Sequence, residues 1–294
     1  MSVLRSVIAC TLLFFIACVV AAAHPGVGVV VDRHGNVFYT DLKQVWRIDP
    51  SGNKSVAVPN VHTHELWLDS HDALYGEHLW YSGPQDGSGK WYHRVWKRTS
   101  EGHVIHVIPA TEGFRTTFSF VRDAAGNGYM AGIITDSAPK IVRFIDGSGN
   151  SGMLAGGAAG RVDGQGAAAG FTNIRWMCIG QDGNLYLVDE GDVRRVTPAG
   201  VVTTLARGVA EHNRLSLTER RHDLMGLYAD AFGDVYVTVY GARMIKKIGR
   251  DGKVTVFDRS TLPWSPTGIT IAGHTAYILE YADPLARVRK IGLR

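Results

Sequence analysis

Short apolar runs and polar, glycine-bearing turns alternate along most of this chain. One unit recurs: an apolar strand, a turn built on Asp-x-x-Gly-Asn or an equivalent, and a second strand that opens near an aromatic residue. The first copy is Val29 to Tyr39, with Asp32, Gly35 and Asn36 in the turn. Further copies run from Leu66 to Tyr75, Phe120 to Tyr129, Met177 to Tyr186 and Leu227 to Tyr236. A last copy, Ile269 to Tyr277, carries His274-Thr275 where Gly-Asn is expected. Strict alternation over a few residues with glycine turns predicts β-hairpins rather than helices.

Each hairpin is followed by a third strand such as Val45–Ile48, Arg94–Lys97 or Val193–Val196. A glycine turn then leads to a fourth, such as Val201–Leu205 or Val254–Phe257. Units of about 40 residues, each of four antiparallel strands, describe a radial all-β architecture. Six units predict a six-bladed β-propeller of four-stranded antiparallel blades over residues 24–294. A helical pattern arises only at Glu211–His222, in a long connection. Arg287–Leu293 reads as the third strand of the last unit, whose fourth is either absent or supplied by the N-terminal stub.

The stretch Gly160–Leu205 conforms best. Asp163-Gly164-Gln165-Gly166, Phe171, Gly183-Asn184-Leu185-Tyr186, Asp189 and Val193-Arg194-Arg195-Val196 resemble the NHL-repeat pattern. Over residues 26–294 the chain resembles the NHL and SMP-30/gluconolactonase-like propeller superfamily. That resemblance implies the propeller and leaves activity open, since such propellers include lactonases, peptidyl-hydroxyglycine lyases and binding scaffolds.

The N-terminus has a different character. Arg5 precedes an uncharged apolar run, Val7–Val20, that ends in Ala21-Ala22-Ala23, which is the layout of a secretory signal peptide over residues 1–23. The run is short for a bilayer span of about 20 residues. A secreted or periplasmic chain beginning at His24 is therefore expected, with a lipoprotein anchored at Cys18 as the lesser alternative. Cys178 is then the one remaining thiol; it lies in an apolar strand and reads as buried and inert. The net charge of +4 is mild and its lysines and arginines are scattered, which argues against nucleic acid as a partner. A monomer without a membrane span in its mature form is expected.

Positions equidistant from the turn oppose each other across a hairpin. On that count Arg175 faces Asp189 as a cross-strand ion pair, and His64 faces His78 with Glu65 opposite Glu77. Opposed imidazoles have Cβ atoms about 4.5–5.5 Å apart, a spacing that suits a shared divalent ion. His64, His78 and His222 are the metal candidates, with His62, His24, Glu65 and Glu77 secondary. Zinc or copper suits imidazole better than calcium does. The lyase resemblance implies zinc held by histidines from several blades; the carboxylate and amide ligands of the lactonases find no match here. Arg175, Asp189, Arg115 and Tyr240 are the catalytic candidates at the same mouth.

Two functions follow from these residues. One is ligand, peptide or protein binding at the channel mouth and the loops 80–93, 156–170 and 208–223, where Trp80, Tyr81, Trp91 and Tyr92 offer an aromatic wall or pack between blades. The other is a metal-dependent hydrolase or lyase using the histidine cluster.

Overall fold

The computed structural model describes residues 25–84, 89–112, 119–123, 125–132, 141–145, 150–210 and 223–293. The expected signal peptide, His24, Arg115, His222 and the Glu211–His222 segment lie outside the described residues. Successive antiparallel sheets follow the chain around a central axis. Blade one comprises Val29–Val31, Val37–Thr40, Val45–Ile48 and Lys54–Val58. Blade two comprises Leu66–Leu68, Leu74–Ser82, Lys90–Arg98 and Val104–Glu112. Blade three comprises Ser119–Arg122, Gly128–Gly132, Ile141–Ile145 and Ser151–Ala155. Blade four comprises Ile174–Ile179, Leu185–Asp189, Asp192–Val196 and Val201–Ala206, with the short Gly164–Gln165 added outside. Blade five comprises Asp223–Ala229, Val235–Tyr240, Met244–Ile248 and Val254–Arg259.

The expectation of six four-stranded blades is corrected to five. Between blades five and one stands a three-stranded closing sheet, Ser265–Ala272, Thr275–Ala282 and Leu285–Gly292. No fourth strand pairs with Leu285–Gly292 among the described residues. Tyr281 closes the ring by donating its hydroxyl to Thr40 O at 2.7 Å. Val29, Val37, Tyr39, Leu279 and Tyr281 bury one apolar cluster across that seam.

The sequence repeat has a concrete cause. Asp32 Oδ1 accepts the backbone N–H groups of His34 and Asn36 at 2.9 and 2.8 Å, and Oδ2 accepts Asn36 Nδ2 at 2.6 Å. Asp69, Asp123 and Asp230 repeat the backbone part of this turn in blades two, three and five. Short polar side chains thereby satisfy the turn backbone, and glycine takes the left-handed position. Outside the turns, alternation sends one face of each sheet to each neighbouring blade, so the core is a ring of inter-blade clusters. The cluster between blades four and five buries Val188, Leu224, Val235, Val237 and Ile248 fully or nearly so.

Blade four, whose sequence conforms best to the repeat, is tied by ionic bonds. Arg194 is fully buried; it donates to Asp189 Oδ2 at 2.9 Å and to Asp163 Oδ1 at 2.8 Å. Its guanidinium lies over the Phe171 ring at 5.4 Å. Asp189 Oδ1 accepts the N–H groups of Thr172 and Asn173 at 2.9 and 2.8 Å. These residues pin the loop before blade four to its own third strand.

Inner strands meet closely at the axis. A Cβ on Gly268 would lie 2.1 Å from Val27 O, a backbone atom with no room to yield. Gly268→Ala is expected to destabilise by about 1–3 kcal/mol, read from the midpoint of chemical unfolding.

Candidate functional site

At the face where the inner strands begin, blade two departs from its neighbours. Thr40 and Thr238 occupy equivalent buried positions past the hairpin turns of blades one and five. Each donates its hydroxyl to a carbonyl of the next unit, Thr63 O at 2.7 Å and Thr267 O at 3.0 Å. Blade two has Glu77 at this position. Glu77 Oε1 accepts the N–H of His64 at 2.6 Å and that of Glu65 at 3.2 Å. Its Oε2 is buried without a hydrogen-bond partner.

The carboxyl of Glu65 is also buried, and crosses to other blades. Oε1 accepts Ser119 Oγ at 2.6 Å and Oε2 accepts Phe120 N at 3.0 Å. Burial, then the neighbouring Glu77, pushes the Glu65 carboxyl well above the ordinary range. The folded chain therefore holds a proton that the unfolded chain releases above a pKa of 4.5. Below that value the full stability is present, and it falls as pH rises towards the folded pKa. Glu65→Gln is expected to flatten this decline in thermal stability as pH rises above 4.5.

Three histidines surround these acids. His64 is buried, with Nδ1 3.6 Å from Glu77 Oε1 and its ring 6.3 Å from that of Trp176 in blade four. The His62 ring lies edge-on to it at 4.7 Å. His62 is half-buried; burial and the adjacent His64 lower its pKa to about 4, so it is neutral at physiological pH. His78 Nδ1 accepts the backbone N–H of His62 at 2.8 Å. Burial and Arg94 hold the His78 pKa low as well.

The expected cross-strand register fails at this end of the hairpin. Paired residues in blade two stop at Leu66 and Gly76, and the chain before Leu66 bends to lay its N–H groups on Glu77. His64 thus faces Glu77, while His78 turns to the backbone of His62. Glu65 and Glu77 are both buried rather than reaching solvent.

The Arg175–Asp189 pair is likewise not formed. A bulge between Ile174 and Trp176 shifts the register so that Ile174 opposes Asp189. Arg175 instead reaches Asp223 of blade five at 3.1 Å, and Asp223 opposes Tyr240. Arg175 is thus tied to the start of blade five, where Tyr240 stands opposite Asp223, whereas Asp189 serves the buried Arg194. The residues that sequence reasoning missed are Ser119, Asp223 and the hub role of Glu77. A threonine position occupied by glutamate was the available signal.

Metal fit is incomplete. Among the described residues no group of three or more His, Cys, Asp or Glu side chains is arranged to hold an ion. His62, His64 and the free Glu77 Oε2 are the nearest set, and His78 has committed Nδ1 elsewhere.

Behind the histidines, a cavity of about 250 Å³ follows the axis, lined by inner-strand residues of every sheet and by Glu65. Cys178 lines it too; burial, then Glu65, raises its thiol pKa strongly, which keeps it unreactive. Among the described residues no helix is long and apolar enough to cross a membrane.

No protein-family model matches the chain, and no curated protein matches it. Solved structures do. Virginiamycin B lyase from Staphylococcus aureus superposes with a TM-score of 0.51 at 13% identity, covering 92% of this chain and 85% of the lyase. A gluconolactonase from Xanthomonas campestris gives 0.57 at 11% identity, covering 86% and 81%. Regucalcin, a calcium-binding protein from Agrobacterium tumefaciens, gives 0.54 at 14% identity, covering 87% and 81%. The shared feature is the propeller fold. At these identities the match speaks for architecture alone, the one expected from the SMP-30/gluconolactonase-like resemblance.

Proposed function

We propose that the protein is an exported hydrolase or lyase that acts on a cyclic ester or related carbonyl compound at the blade-two mouth, with His62 as general base. The observation that carries this reading is the neutral, half-buried His62 packed edge-on to His64, itself held beside buried Glu77. A neutral imidazole at a channel mouth can take a proton from water attacking a carbonyl, or from a carbon next to it with loss of an oxygen leaving group. In both cases the proton returns from the imidazolium to the departing oxygen. Glu77 fixes the backbone of His64 and so the ring that His62 packs against.

The superposed propellers include lyases and lactonases, which supports the enzyme reading over a pure binding module. One of them is a catalytically inactive histidine-to-alanine variant of virginiamycin B lyase with quinupristin, at a TM-score of 0.50 and 12% identity. A streptogramin B and gluconolactone are accordingly the first compounds to try. Turnover of either by purified protein, above background, is the expected result; no turnover of any cyclic ester would remove the enzyme reading.

A divalent ion, zinc or copper, is the second reading, favoured by the adjacent His62 and His64 rings and the unpartnered Glu77 Oε2. It needs a further ligand from outside the described residues, for which His222 is the candidate. Activity that survives chelation supports the metal-free base; loss restored by zinc supports the ion.

A further inference from the structure

Blade two is also set apart by the length of its central hairpin. Leu74–Ser82 and Lys90–Arg98 have nine residues each, whereas the matching strands of the other four blades have four to six. The extra length carries His78, Trp80, Tyr92 and Arg94 on one face, with His78 opposite Arg94 and Trp80 opposite Tyr92. The His78 and Trp80 rings stack at 5.2 Å and 23°, and Trp80 and Tyr92 at 5.4 Å and 15°. Arg94 Cζ sits 5.5 Å from the Trp80 ring centroid. All four side chains are half-buried.

Arg94 is the informative member. Its Nε is buried without a hydrogen-bond partner. A half-buried guanidinium over an aromatic ring, with its Nε donor unpartnered, favours an anion with an oxygen pair. His78 adds a second donor, because Nδ1 accepts from His62 N and the ring proton of the neutral form then sits on Nε2. Near-parallel rings beside these donors favour a flat or cyclic body. The platform adjoins His62 through that same hydrogen bond.

We propose that this platform is a subsite for a ring-bearing carboxylate, with the ring against Trp80 and Tyr92 and the carboxylate on Arg94 and His78. Its place as the recognition arm of the reacting site rests on the blade-two reading above; the binding itself does not.

Calorimetric titration with 2-naphthoate, and with neutral 2-naphthamide as its uncharged counterpart, tests it. The folded wild-type chain is expected to bind naphthoate at least tenfold more tightly than naphthamide. Arg94→Gln should erase that preference, Arg94→Lys should keep part of it, and Tyr92→Ala should weaken both probes. His62→Ala should bind naphthoate like wild type, so a failure of the catalytic reading leaves this result intact. Circular dichroism confirms that each variant is folded. Absence of saturable naphthoate binding to wild type, or equal binding by folded Arg94→Gln and Arg94→Lys, would overturn the proposal.

Discussion

Asp189→Ala is expected to destabilise the protein by about 3–5 kcal/mol, the cost of stranding a buried charge. Arg194 and Asp189 are both fully buried, and the carboxylate is the closer of the buried partners of that guanidinium. Removing it leaves Arg194 with Asp163, whose side chain is 42% exposed, and with carbonyl acceptors. It also strips the acceptor from Thr172 and Asn173 N–H at the start of blade four. For a domain of this size, thermal unfolding should shift down by roughly 10 °C. Asp189→Asn keeps an oxygen for those amides and should cost less. Activity per folded molecule should be unchanged in both, since Asp189 faces the interior of blade four.

The second large effect is on turnover. His62→Ala is expected to lower kcat/KM by about 10² to 10⁴, the usual worth of a positioned general base. Stability should change little, because the ring is half-buried and packs edge-on to His64. Glu77→Gln separates the positioning role from the chemical one. It keeps an oxygen for the His64 and Glu65 amides, so a folded variant with a modest loss in kcat and an unchanged KM is expected.

Much of this architecture was legible in the chain because the repeat is a statement about turns. Asp32, Asp69, Asp123 and Asp230 each accept the backbone N–H four residues on, so a recurring aspartate turn marks blades one, two, three and five, and Gly183-Asn184 marks blade four. The Asp163, Phe171, Asp189 and Arg194 signature was legible as well, though as scaffold: these residues form one buried ionic and aromatic knot. The incomplete closing sheet was foreshadowed by Arg287–Leu293, which reads as a third strand with no fourth after it; the degenerate His274-Thr275 marks where a tight turn at Gly273-His274 replaces the aspartate cap.

The site was legible only in outline. Counting from the turn located blade two as the deviant and gathered His62, His64, Glu65 and Glu77. The count assumed an unbroken ladder, and both hairpins that mattered depart from it at the mouth. Blade four carries a bulge before Trp176, which moves Arg175 from Asp189 to Asp223. Blade two loses its ladder above Gly76, because Glu77 offers a carboxylate that captures two backbone N–H groups. A side chain that competes with backbone pairing changes register locally, and alternation alone carries no trace of it.

The central claim is that a neutral His62 at the blade-two mouth performs the chemistry. The pH dependence of kcat/KM for a substrate that the protein turns over tests it most directly. A base whose pKa lies at about 4 stays unprotonated well below neutrality, so kcat/KM should hold from neutral pH and fall with an inflection near 4. An inflection near the ordinary histidine value of 6.5, or a profile that survives unchanged in His62→Ala, would contradict it.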